Sequence, residues 1–421
     1  MHLVTSLLLL LGGSTSLVKA WLPTDQSRSL SAFTNGNTTK IRGVNLGSHF
    51  IVEPWMAYGE WVNMMGCKDS SGNQYRSEWD CVQGLGQDAA NAVFKKHWQT
   101  WITEEDISTM VECGLNTIRI LVGFWMKEDL VADDEYYPKN NAIEDLQNVC
   151  RWATAAGMYI IIDLHGMPGA QQKEQPFTGR WADQPYFYLS DYHSGRAYEF
   201  LEWMVEKVHS SDAFSNVGAL EIINEPLQLT ENGQTAWMVE HYYPSAVDRI
   251  RAKEKSLGVA EGDQLHIMMM DDKWDSGGNP TRSLNSTQKQ NLLFDDHNYE
   301  AYLVRNAASI PDMVSLACSD DRQSSVSPKI VGEWSLMFWQ TDNTNSNGTN
   351  GTFTPMPAHA AEYSRWFSAQ QRRYEELDGW VFWTWKTDAV LRDEEMWSYK
   401  KAVDAGIISK DLNEQYNQNP C

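Results

Sequence analysis

The run AIEDLQNVCRWATAAGMYIIIDLHG, residues 142–166, reads as one helix followed by one strand. Apolar residues fall at helical spacing across Ala142–Ala156, at Ile143, Leu146, Val149, Cys150 and Ala153, the pattern of a helix that buries one face. Met158–Asp163 is then a short apolar run with three isoleucines, as expected of a strand covered on both sides, and it breaks off in the polar Asp163-Leu-His-Gly166. Such units, repeated, build a parallel sheet.

Seven more runs of this kind flank it. They are Ile41–Gly47, Asn116–Leu121, Ala219–Asn224, Leu265–Met270, Leu292–Asp296, Lys329–Glu333 and Gly379–Trp385, with amphipathic stretches between them at Thr103–Cys113, Gly195–His209, Thr235–Lys255 and Ala358–Leu377. Eight strand and helix units predict closure into a (β/α)₈ barrel. An open doubly wound sheet would carry a glycine-rich phosphate turn after its first strand, and Gly43-Val-Asn-Leu-Gly47 lacks both that spacing and a helix directly after it. The stretches from Glu53 to about Asn91 and from Thr341 to Thr352 read as long loops of one domain spanning residues 21–421.

Residues 1–20 carry a leucine run ending in Val18 and Ala20 at the small-residue positions of a cleavage site, and read as a secretory signal. The predicted location is extracellular or the cell wall, with no membrane span, since no other stretch approaches ~20 apolar residues. The formal charge of −22 repels phosphate backbones and excludes nucleic acid as a partner; the chain is expected to act as a monomer. Six cysteines in an exported chain predict disulfides. Of the fifteen pairings they allow, the set Cys67–Cys81, Cys113–Cys150 and Cys318–Cys421 is expected. Its middle bridge follows from the neighbouring positions of sequential barrel helices. Sequons at Asn37, Asn285, Asn347 and Asn350 are candidate glycosylation sites.

In a barrel the strands' carboxyl ends surround one cavity, so polar residues from distant parts of the chain meet there. Asn224-Glu225-Pro226 ends the fourth strand and Gly332-Glu333-Trp334 the seventh. Hydrolysis of a glycoside with retention needs two carboxyls about 5 Å apart, one to attack the anomeric carbon and one to protonate the leaving oxygen. Arg119, ending the second strand, is a candidate cation to keep the attacking group ionised. The Asp295-Asp296-His297 and Asp271-Asp272 clusters offer metal-ligand chemistry without convergent spacing, so neither metal nor cofactor is expected.

The runs Arg42-Gly-Val-Asn-Leu-Gly47, Asn116-Thr-Ile-Arg-Ile120, Asp163-Leu-His-Gly166, Asn224-Glu-Pro226, His297-Asn-Tyr299, Gly332-Glu-Trp334 and Val381-Phe-Trp-Thr-Trp-Lys386 resemble family 5 glycoside hydrolases. More narrowly they are similar to the exo-β-1,3-glucanase branch of fungi and oomycetes, over roughly residues 41 to 390. The resemblance implies a secreted, retaining β-glucan hydrolase that releases glucose from non-reducing ends, with Glu225 as acid/base and Glu333 as nucleophile. It further implies that Asn224 binds the sugar 2-hydroxyl, that Arg119, His165, His297 and Tyr299 line the reacting subsite, that Trp383 floors it, and that Glu53 grips the outer hydroxyls of a terminal glucose. Two segments depart from the family: Gly47-Ser-His-Phe50 replaces the usual Gly-Gly-Trp, and the stretch after His165 is Gly-Met-Pro-Gly-Ala-Gln-Gln-Lys-Glu-Gln. Both border the mouth of the site. An endo-acting or β-1,6-specific glucanase or transglucosylase on the same site, and a carbohydrate-binding barrel without activity, therefore stay open as alternatives.

Overall fold

The computed structural model describes residues 40–228, 234–303, 309–338, 340–341, 351–352, 356–388 and 392–421. The expected signal at residues 1–20 and the sequons at Asn37, Asn347 and Asn350 lie outside these residues, while Asn285 is exposed. All eight strands form: β1 (Ile41–Asn45), β2 (Thr117–Gly123), β3 (Tyr159–Gly166), β4 (Val217–Glu221), β5 (His266–Met270), β6 (Leu292–His297), β7 (Lys329–Glu333) and β8 (Gly379–Phe382). They pair in parallel in chain order. β8 returns to β1 in the register Ile41↔Gly379 to Val44↔Phe382, which closes the barrel.

Helices form in each of the five stretches that the apolar spacing marks, and also where it marks none. α1 (Glu78–Leu85), α2 (Gln87–Thr100), α3 (Glu104–Glu112), α4 (Ala142–Ala155), α5 (Asp191–Ser210), α6 (Tyr243–Leu257), α7 (Ile310–Ser319) and α8 (Ala360–Tyr374) follow in order. The start of α3 shows why: Thr103 accepts from the Asp106 amide while the Asp106 side chain accepts from the Thr103 amide, so two otherwise orphaned donors are satisfied. Among the described residues, no helix is long and apolar enough to cross a membrane.

Two expectations fail. The segment from Glu53 to about Asn91 is not loop throughout, because Ser77 caps α1 and α2 starts at Gln87. Its many Gly, Trp and Cys residues mask two helical patterns separated at Gly86, whose φ of +81° is a conformation that favours glycine. The second failure is Cys113–Cys150, since both thiols are free and buried, whereas Cys67–Cys81 and Cys318–Cys421 are bonded. Cys113 ends α3 turned toward Tyr399, Asp404 and Lys410 of the C-terminal segment, while Cys150 is buried on α4. Neighbouring helices are not sufficient, because a bridge also needs the two Cα atoms within about 7 Å and the Cβ atoms facing each other. Of the expected loop Thr341–Thr352, the ends are described; Gln340–Thr341 pairs antiparallel with Gly351–Thr352.

The barrel interior is layered by the two-residue period of a strand. Ile41, Tyr159, Ile161, Ala219, Met268, Leu293, Ile330 and Val381 form a closed apolar layer at the amino ends. Two residues further along, four of these positions lead to groups of the site: Ile161 to Asp163 and His165, Ala219 to Glu221, Leu293 to Asp295 and His297, and Val381 to Trp383, whereas Met268 leads to Met270 and Ile330 to Gly332. The site groups thus stand toward the carboxyl ends of their strands, past the apolar layer.

Candidate active site

Glu333, the last residue of β7, is held from two sides. Oε1 accepts from Arg119 Nη1 at 2.9 Å and Oε2 accepts from the Tyr299 hydroxyl at 2.7 Å. Arg119 is fully buried and also reaches Asn45, Glu221, Asn224 and Asp163, each at 2.8 to 3.0 Å. Desolvation opposes its charge, but Asp163, Glu221, Glu333 and Asp295 around it raise its pKa well above the ordinary value. Burial pushes the Glu333 carboxyl up, and His297 and Arg119 pull it back.

Glu225 stands four residues past β4 with a φ of +38°, a sparsely populated conformation for a residue with a side chain. Its chain is tied down by the departing segment after His165. Gln172 donates to the Glu225 carbonyl at 3.0 Å, and buried Gln171 donates to the carbonyls of His165 and Asn224. Oε1 of Glu225 lies 2.7 Å from Nδ1 of His297, which is also 3.5 Å from Glu333. Burial disfavours a charged His297, yet Glu333, Asp295 and the bonds to Asp295 and Glu225 raise its pKa well above that of a free imidazole. One oxygen of Glu225, one of Glu333 and a ring nitrogen of His297 lie within 4.8 Å of one another. A metal ligand must be a neutral imidazole with a free ring nitrogen, whereas both nitrogens of His297 face carboxylates that favour its protonated form, so the donor set fits a protonic site better.

A cavity of about 360 Å³ opens above these groups, with Asn224, Glu225 and Glu333 in its floor. Trp383 and His165 stack at 5.8 Å along one side, the latter oriented by Asp163 at 2.6 Å. Trp55, Trp397 and Glu53 also line it. Ser48, in the other departing segment, accepts from the Glu53 amide and donates to its carbonyl, and Trp55 donates to Glu53 Oε2. Glu53 Oε1 and Asn224 Nδ2 have no partner among the described residues and both residues line the cavity, which leaves them for a ligand. Burial, offset by the Trp55 bond and reinforced by Glu333 and Glu225, pushes Glu53 to about 8. Past Glu225, Phe177, Tyr299 and Tyr302 the space continues into a second cavity of about 570 Å³, with Gln172, Gln228, Lys273 and Trp274 on its walls.

The structure thus brings together all nine expected site residues, Glu53, Arg119, His165, Asn224, Glu225, His297, Tyr299, Glu333 and Trp383. Sequence reasoning missed Glu221, whose signal was a lone acid inside an apolar strand. It also missed Trp55, Phe177, Trp274 and Trp397, which the sequence does not separate from its other aromatics.

A family model described as cellulase (glycosyl hydrolase family 5) matches residues 82–389. The glucan endo-1,6-beta-glucosidase B of Emericella nidulans is 50% identical over 404 residues, covering 96% of this chain and 90% of that protein. The probable glucan 1,3-beta-glucosidase A of Aspergillus fumigatus is 27% identical and covers 90% of each. The crystal structure of rutinosidase from Aspergillus niger superposes with a TM-score of 0.67 at 20% identity, over 88% of this chain and 98% of that one. That last likeness speaks for the fold alone.

Proposed function

We propose, for a chain that belongs to glycosyl hydrolase family 5 and is a glycoside hydrolase, that it cleaves β-1,6-glucan at internal bonds with retention of configuration. One observation carries the retaining chemistry: oxygens of Glu225 and Glu333 lie within 4.8 Å, close to the separation of about 5 Å that double displacement uses and too tight for an inverting pair. Glu333 attacks C1 as Glu225 gives its proton to the departing oxygen. Water then attacks C1 of the glycosyl-enzyme, Glu225 takes the water's proton, and the bond to Glu333 breaks. Asn224 Nδ2 donates to the sugar 2-hydroxyl, and Trp383 stacks on the apolar face of the ring.

Linkage and mode draw on two supports. The relative at 50% identity bears the endo-1,6 name, whereas the 1,3-glucosidase relative stands at 27%. The cleft also continues past Glu225 for a chain on the leaving side. A second reading, exo attack on β-1,3-glucan, draws on Glu53, Trp55 and Trp397 in the cavity lining. In both, residues 1–20 direct export, residues 21–421 act as one domain and a monomer outside the cell, and exposed Asn285 takes a glycan.

Early products from a linear β-1,6-glucan and from laminarin test this. A ladder of β-1,6-linked oligosaccharides is expected; glucose alone, released faster from laminarin, selects the second reading.

A further inference from the structure

We propose that Asp295 is a positioning residue that decides which proton His297 shares with Glu225, and that it aligns Glu333 through the same carboxylate. Asp295 Oδ1 accepts from the Gly332 amide at 2.7 Å, directly before Glu333. Its Oδ2 is 3.3 Å from His297 Nε2 and 3.8 Å from Arg119 Nε. Contact with β7 is close enough to require a glycine there, because a Cβ on Gly332 would meet the Asp295 carboxylate. Asp295 is fully buried, and neither the established family membership nor the two-carboxylate mechanism uses it.

The chemistry follows from donor and acceptor counts. A carboxylate only accepts, so Asp295 keeps a proton on Nε2 of His297. Nδ1 then faces Glu225 Oε1 at 2.7 Å with room for a single proton between them. When that proton sits on Glu225 the ring is neutral and Glu225 can act as acid; when it sits on Nδ1 the ring is cationic and Glu225 is free to act as base. The two states are those the two halves of the reaction require. The groups facing His297 are Glu225 from the loop after β4, the Trp274 ring edge after β5, Asp295 from β6 and Glu333 from β7, with Arg119 behind Asp295.

Asp295→Asn separates this role from mere packing. The carbonyl oxygen of the amide is taken by Gly332, so its NH₂ points at Nε2 and forces the ring proton onto Nδ1. That proton holds Glu225 ionised, which removes the acid and spares the base. Resting on Glu225 as acid/base, the expected result is a fall of about 10²-fold in kcat/KM on glucan, the usual worth of general acid catalysis. On 2,4-dinitrophenyl β-glucoside, which needs no proton, the fall is about 5-fold or less, and the alkaline limb on glucan moves to lower pH because the proton shared by His297 and Glu225 has lost a neighbouring anion. Equal losses on both substrates with an unmoved pH profile would overturn the proposal. Should the variant not fold, ¹⁵N NMR of histidine-labelled wild-type enzyme decides it: Nε2 protonated from pH 5 to 8 supports the proposal, and a bare Nε2 overturns it. That readout does not depend on the role of Glu225. Failure of the acid/base reading shows separately, as a Glu225→Ala variant that loses glucan and aryl glucoside activity equally.

Discussion

On one side of Glu225 the cleft is walled by Trp55, Trp383 and Trp397 around a nearly buried Glu53, and on the other by Gln172, Gln228, Lys273 and Trp274, which are half-buried or exposed. The first side is the more buried and is tied down: Ser48 and Trp55 fix Glu53, and Cys67–Cys81 braces the segment that follows it. There desolvation is strong enough to push a carboxyl to about 8. Beyond Glu225, Gln228 and Lys273 are exposed and Gln172 and Trp274 half-buried. Buried walls give geometric selectivity for one sugar; exposed walls accept a chain without strongly selecting its length.

The sharpest break in this comparison lies at its boundary. Glu333→Ala is expected to lower kcat by about 10⁴-fold or more on every substrate, with azide restoring turnover and giving the α-glycosyl azide. Glu225→Ala should give the β-azide and keep activity on activated aryl glucosides. Near-normal rates for both variants would mean that the pair is misassigned. Next in size, replacing Cys67 and Cys81 by serine should cost about 2–4 kcal/mol in denaturant unfolding. Because the bridge braces only the more buried side, product patterns on the more exposed side should not change.

Glu53→Ala should reduce kcat/KM by at least ~10-fold, as expected when hydrogen bonds from a buried polar group worth ~1.5–3 kcal/mol are lost. Trp274→Ala, on the more exposed side, should raise KM for long glucans by roughly 5-fold, corresponding to ~1 kcal/mol of stacking, and should raise KM for aryl glucosides less. If the Trp274 effect exceeded that of Glu53, the contrast between the two sides would be inverted. The smallest effect concerns pH. Between about 4.3, the ordinary value in an unfolded chain, and about 8 in the folded protein, folded Glu53 holds a proton that the unfolded chain has lost, so stability falls as pH rises. Glu53→Gln should flatten that dependence, narrowing the Tm difference between pH 5 and pH 8 by a few degrees; an unchanged slope would show that Glu53 is not buried as the cleft requires.

The eight strands were readable beforehand, and so was the meeting of Glu225 and Glu333 just past β4 and at the end of β7, because a strand buried on both sides is an uninterrupted local run and its end is a local change to polar residues. Boundaries moved by a few residues, as for Glu225, which follows β4 rather than ending it. Linkage was not readable in these local patterns.

By itself, the sequence determined period and punctuation: which segments twist into helices, which extend into strands, and which residues stand where strands end. Those properties depend on neighbours within about four residues along the chain. Only tertiary structure decided that Asp295 meets both His297 and Gly332, that Gln171 holds Asn224, that Ser48 holds Glu53, and that Cys113 turns toward Tyr399 and is not bonded to Cys150. Most of these contacts join different strands and loops, and closure of β8 onto β1 sets their distances. A side chain's partner across a barrel is a property of the closed ring, and no segment read alone contains it.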